Sequence, residues 1–146
     1  MVERLWARVG VKAAILRRGR LLLMRRRNDL DLWPELWDLP GGGVEKDETL
    51  EGALVREVLE ETGYYVRVGS VLDISFQWIQ IGAESPFPSL VSSFLCSTRS
   101  RSPPRLDVAE HSEFAWVSRR DLRGLAAVPR LRRAMDRALG APGEKD

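Results

Sequence analysis

The sequence has little cysteine, little histidine and no long apolar run: its 146 residues include one Cys and one His. With Cys96 alone, no disulfide framework forms within a chain, and its place in the apolar run Leu90 to Cys96 predicts a buried strand thiol. The N-terminal stretch Met1 to Leu16 mixes Glu3, Arg4, Arg8 and Lys12 into its apolar residues. No segment approaches the roughly 20 apolar residues that a membrane span requires, so a cytoplasmic protein is expected. An excess of either charge is missing too. Lys and Arg total 23 against 21 Asp and Glu, and a net charge of +2 says little for a nucleic-acid partner. There is no internal repeat and no linker, which predicts one domain over residues 1–139 and a disordered tail over 140–146.

The placement of charge says more than its sum. Arginines gather at Arg17, Arg18, Arg20, Arg25, Arg26 and Arg27 and again at Arg130, Arg132 and Arg133, whereas Glu45 to Glu61 is strongly acidic. A small molecule carrying phosphates and accompanied by metal suits such a map. Leu5 to Leu16 and Leu21 to Met24, joined by a turn around Gly19, read as a β-hairpin. Asn28 to Gly43 holds Pro34, Pro40 and three consecutive glycines, which predicts a loop with at most a short strand at Leu36 to Leu39. Thr49 to Thr62 has the helix formers, an N-cap in Thr49 and a C-terminal glycine in Gly63. Tyr64 to Gln80, Leu90 to Thr98 and Glu113 to Val117 follow as strands, and Arg119 to Leu125 and Pro129 to Leu139 as helices. The order predicts an α/β (α+β) sandwich, a mixed sheet with helices on both faces.

At about 100° per residue, Glu57, Glu60 and Glu61 fall within an arc of roughly 100° on the Glu51 to Thr62 helix. Leu50, Leu54, Val55, Val58 and Leu59 fill most of the remaining circumference, so the helix is expected to pack into the protein with its acidic face as a cleft floor. Two like charges about 4 Å apart repel by roughly 4 kcal/mol at an effective dielectric near 20. Arg56 offers only one compensating charge. Hard divalent ions such as Mg²⁺ prefer clustered carboxylate oxygens with waters and phosphates, so metal is the natural partner.

Around this helix the chain reads Gly42, five residues, Glu48, seven residues, then Arg56-Glu57-Val58-Leu59-Glu60-Glu61-Thr62-Gly63-Tyr64. This resembles the complete signature of the Nudix hydrolase family, with Val58 and Tyr64 in its two apolar positions. Seven specified residues arise by chance in about one start position in a billion at average composition. The resemblance implies hydrolysis of a nucleoside diphosphate linked to another moiety, in a Nudix-type α/β/α sandwich. It implies that the Gly41 carbonyl and the carboxylates of Glu57, Glu60 and Glu61 ligate Mg²⁺ or Mn²⁺. Gly42, Glu48 and Arg56 then support the site, the last two by pairing.

Glu57 is the first candidate for the base that takes a proton from water, and Glu110 the alternative. Glu113 is expected to be structural, and His111 to be a polar loop residue beside Glu110. Of the three consecutive arginines, Arg26 is the candidate phosphate contact. Trp37, in the loop entering the glycines, either stacks on a nucleotide base or packs the loop onto the core; Trp116 belongs to the core. The chain is similar to nucleoside triphosphate pyrophosphatases that act on 8-oxo-dGTP-like nucleotides. ADP-ribose, nucleotide-sugar and dinucleoside polyphosphate hydrolysis are the alternatives within the family. A non-catalytic nucleotide-sensing module is the alternative outside catalysis, and full retention of the acidic positions argues against it. The expected partner is a small-molecule nucleotide, with no membrane or nucleic acid, and the protein is expected as a monomer or homodimer.

Overall fold

A computed structural model describes residues 2–140. The chain begins with β1 (Arg8–Arg17) and β2 (Arg20–Arg26), a hairpin closed by Arg18 and Gly19 at φ 49° and 73°. Positive φ at both central residues matches the twist of the flanking strands, which is why a glycine sits at this turn. The first strand starts later than the apolar pattern predicts. Leu5 and Trp6 are exposed, and pairing begins at Arg8 against Ser89.

β3 (Trp37–Asp38) pairs with β2, and β4 (Gly41–Gly43) pairs antiparallel with β1 through Gly10, Val11 and Lys12. The glycine triplet, expected as loop, is therefore strand. A Cβ on Gly41 would lie 2.0 Å from the Val11 carbonyl oxygen, and its φ of 145° suits glycine. Glycine serves here for close approach of two backbones, which composition alone reads as a turn.

α1 (Leu50–Thr62) has the expected caps: Thr49 Oγ1 accepts from Gly52 N at 3.0 Å, and Gly63 takes the left-handed conformation at φ 76°. Next come β5 (Val66–Ile79), β6 (Phe87–Thr98) and β7 (His111–Val117). β6 runs parallel to β1 and antiparallel to β5, while β7 joins the other side of the molecule by pairing with β2. The mixed sheet has the order β3-β2-β1-β6-β5, with β4 on β1 and β7 on β2. α2 (Arg119–Arg123) begins in a capping box of Ser118 and Asp121, and a 3-10 turn at Pro129–Leu131 leads into α3 (Arg132–Gly140). Gly140, expected as the start of the tail, closes α3; residues 141–146 lie outside the described residues.

Strand alternation distributes the core between the two helical layers. Val11, Ala13, Ile15, Leu22 and Met24 pack with Ala53, Leu54 and Val58 of α1, while Ala14, Leu21 and Leu23 pack with Leu131, Ala134, Met135 and Ala138 of the C-terminal layer. This is the predicted α/β/α sandwich. Cys96 is buried on the α1 side, and burial pushes its thiol up to about 12. Leu50, counted with the packed face of α1, is the first residue of the helix and is 40% exposed. Among the described residues no helix is long and apolar enough to cross a membrane.

Candidate active site

The acidic face of α1 meets the glycine strand β4. Glu61 is 4% exposed, and its Oε2 accepts from Gly41 N at 3.0 Å. Desolvation pushes its carboxyl up to about 8, although the charge of Lys12 and the Gly41 hydrogen bond act the other way. Glu57 is half-buried and lies against Gly42, where a Cβ would come 2.6 Å from the Glu57 carboxyl carbon. Its carboxyl is also raised, by desolvation first, against the lowering hydrogen bond from Arg56. Glu60, one turn along, is exposed.

Arg56 does more than neutralise one neighbour. Its Nε and Nη2 donate to the two oxygens of Glu48 at 2.8 and 2.7 Å, its Nη1 to Glu57 at 3.0 Å, and its Nη2 also to the Gly43 carbonyl at 3.1 Å. Nη1 lies 3.4 Å from Glu60 as well. Glu48 in turn accepts from Glu45 N at 2.8 Å, and the paired guanidinium brings its carboxyl down to about 2. A planar fork spans both sides of the junction between loop and helix, which a lysine does not reproduce.

Glu110 stands in the turn before β7 and is exposed, with its carbonyl accepting from Arg27 N at 2.9 Å. Its charge reaches both Glu57 and Glu61, raising each. Fold topology thus brings to α1 a carboxylate nearly fifty residues further along. His111 departs from expectation. It is the first residue of β7, 2% exposed, and its Nδ1 has no partner among the described residues. Pairing of β7 with β2 opposite Arg26 draws it inside, and desolvation lowers its imidazole below 6.5.

Arg26 is not a free cation at a strand end. Its Nε donates to the Leu32 carbonyl at 2.9 Å and its Nη1 to Asp38 Oδ2 at 3.2 Å. Arg25 pairs with Glu113 at 3.2 Å, and Arg27 pairs with Asp29 at 3.0 Å. The three arginines line an open recess of about 270 Å³ with Asn28, Glu35 and Ser112. Trp37 packs with the C-terminal layer, and Trp116 with the α1 cluster beneath the Arg17 guanidinium, 4.6 Å from the ring centroid.

Two residues of the site were not singled out by sequence reasoning. Asp38, 2% exposed, lies between Arg26 and Lys12, whose Nζ is 3.2 Å from Asp38 Oδ1 and Oδ2. The available signal was a lone charge inside each apolar stretch: Lys12 within the first strand, Asp38 between Trp37 and Leu39.

Among the described residues, no three Asp, Glu, His or Cys side chains converge as a ready metal cage. The donors still suit a hard cation: an oxygen-only set, a buried carboxyl held up to about 8 by desolvation, and a cradle at Gly42 filled by a carboxylate. Mg²⁺ in particular uses few protein carboxylates and completes its octahedron with water and phosphate.

A family model described as NUDIX domain matches residues 6–138. Among curated proteins, the chain is 33% identical to the nucleoside triphosphatase NudI of Enterobacter sp. (strain 638), over 73% of this chain and 79% of that one. It is 38% identical to a putative 8-oxo-dGTP diphosphatase of Bacillus subtilis (strain 168), over 44% of this chain and 41% of that protein. Among solved structures, a MutT NUDIX hydrolase from Burkholderia pseudomallei superposes with a TM-score of 0.72 at 29% identity, covering 92% of this chain and 97% of that one.

Proposed function

The chain belongs to the Nudix hydrolase family, and we propose that it hydrolyses a nucleoside triphosphate, standard or oxidised, to the monophosphate and pyrophosphate. One observation carries the hydrolytic reading: two carboxylates of α1, Glu57 and Glu61, are held against the backbone of consecutive glycines, Gly42 and Gly41. The triphosphate reading draws on the relative named a nucleoside triphosphatase, which is matched over most of its length.

In this reading the Gly41 carbonyl, Glu57, Glu60 and Glu61 hold Mg²⁺ or Mn²⁺. The bound ion supplies charge neutralisation on phosphoryl oxygens and acidification of water. Glu57 accepts the proton of the attacking water. Its carboxylate lies against Gly42, and the Arg56 hydrogen bond fixes the direction of its oxygens. Glu110, whose charge raises Glu57, is the second candidate for the same proton. Arg26, on the wall of the basic recess, is the arginine assigned to a phosphate.

A panel of nucleoside triphosphates, 8-oxo-dGTP, ADP-ribose, nucleotide sugars and diadenosine polyphosphates, assayed with Mg²⁺ or Mn²⁺, tests the assignment. The expected result is metal-dependent release of pyrophosphate and monophosphate from a triphosphate. Preference for ADP-ribose or a nucleotide sugar replaces the substrate, and absence of all metal-dependent turnover removes the enzymatic reading.

A further inference from the structure

Two charged side chains beneath the site remain unused by the hydrolytic reading, Lys12 and Asp38, and a third, Arg26, is joined to them; their side-chain exposures are 18%, 4% and 18%. Burying an anion this deeply is unfavourable unless its oxygens are held by cations and donors. Asp38 Oδ2 accepts from both Lys12 Nζ and Arg26 Nη1 at 3.2 Å, and Lys12 Nζ also stands 3.2 Å from Oδ1, which makes no hydrogen bond among the described residues. Arg26 is anchored in turn to the Leu32 carbonyl, so the ladder ties β2 to the chain that precedes the glycines.

At the other end stands Lys12, and its position is unusual. It is the residue of β1 that pairs with Gly41 across the β1 to β4 ladder. From there its Nζ reaches back to Asp38 and to the Leu39 carbonyl, both at 3.2 Å, while the next residue donates from Ala13 N to the Pro40 carbonyl at 2.8 Å. Every residue from Asp38 to Gly41 is thereby gripped by Lys12 or Ala13. Gly41 N, the end of that segment, meets Glu61. The ammonium of Lys12 is thus committed to protein acceptors.

We propose that Lys12 is a positioning residue for the active site: bridging Asp38 and the Leu39 carbonyl, it fixes the Gly41 backbone against Glu61 without touching the nucleotide. The consequence rests on the metal-dependent reading above, because Gly41 and Glu61 are there the metal's ligands. Residues that orient ligands in this way typically contribute ten- to a hundredfold to metal affinity or activity. Arg26 holds the same loop through Asp38 and the Leu32 carbonyl.

The test uses Lys12→Met, which keeps chain length without the charge, and Asp38→Asn, which keeps shape. In the metal-free protein, the Gly41 and Gly42 amide resonances are expected to move in both variants. In the assay, the half-saturating Mg²⁺ concentration is expected to rise about tenfold while the nucleotide KM at saturating Mg²⁺ stays unchanged. Unmoved glycine amides with unchanged Mg²⁺ dependence in a folded variant overturn the proposal. A rise in nucleotide KM alone also overturns it, by making Lys12 a substrate contact. If Lys12→Met does not fold, Asp38→Asn decides by the same readings. Should the wild-type protein hydrolyse nothing, the functional reading fails while the glycine amides still decide the positioning.

Discussion

The carboxylate of Glu57 occupies the space in which any side chain at Gly42 would sit: a Cβ there would lie 2.6 Å from the carboxyl carbon and 2.7 and 2.8 Å from its oxygens. Neighbouring glycines differ in kind. At Gly41 the obstacle is the Val11 backbone at 2.0 Å, and at Gly43 there is nothing within 4 Å.

Alanine at the three glycines is therefore expected to separate fold from function. Gly42→Ala displaces a flexible carboxylate, so the protein folds and loses about a hundredfold in turnover, as small misplacements of reacting groups do. Gly41→Ala meets rigid backbone and impairs folding, whereas Gly43→Ala leaves both intact. Turnover of each variant beside its thermal melt is the measurement. Full activity of Gly42→Ala contradicts the placement of Glu57.

Glu57→Gln keeps the shape and the Arg56 contact but removes the base, so turnover is expected to fall about a hundredfold or more with the melting temperature nearly unchanged. Glu110→Gln is expected to cost less than about tenfold, since it acts on Glu57 through charge. Reversal of these two losses transfers the base to Glu110.

The raised carboxyl of Glu61 makes proton release a signature of metal binding. With its value at about 8, the folded metal-free protein holds this proton at pH 7, whereas a ligated carboxylate does not. Calorimetry of Mg²⁺ binding at pH 7 in buffers of different ionisation enthalpy should show about one proton leaving. Glu61→Gln should abolish that release. The sign for stability follows from the same shift. The folded state holds the proton more tightly than the unfolded one, so this contribution is present below pH 4.5 and is lost as pH rises through about 8.

His111 carries the opposite slope. Burial lowers its imidazole from 6.5, so the unfolded chain takes up a proton before the folded one. Its contribution is present above pH 6.5 and is lost as the pH falls through the lower folded value. Urea unfolding at pH 7.5 and 5.5 is expected to show a smaller loss on acidification for His111→Asn than for the wild type. Equal losses would mean that another group sets the acid slope.

Much of the site was legible in the sequence because its physics is local. Thr49, Gly63 and the spacing of Glu57, Glu60 and Glu61 belong to one helix, whose period and caps a reader can count. The pairing of Arg56 with Glu48 spans a single junction. Composition reads the glycine triplet as loop because glycine tolerates both a turn and a close backbone pairing, and only the arrival of β1 beside it selects the second.

The sequence by itself thus determined a capped acidic helix, its glycine-rich approach and the family that carries them. Tertiary structure alone decided that His111 is buried, that Glu110 reaches the charges of Glu57 and Glu61, and that Lys12, Asp38 and Arg26 form one ladder. Each of those outcomes depends on strands far apart in the chain, β1, β2, β3 and β7, lying side by side. Burial and charge interaction are properties of that assembled neighbourhood, and no spacing along the chain encodes them.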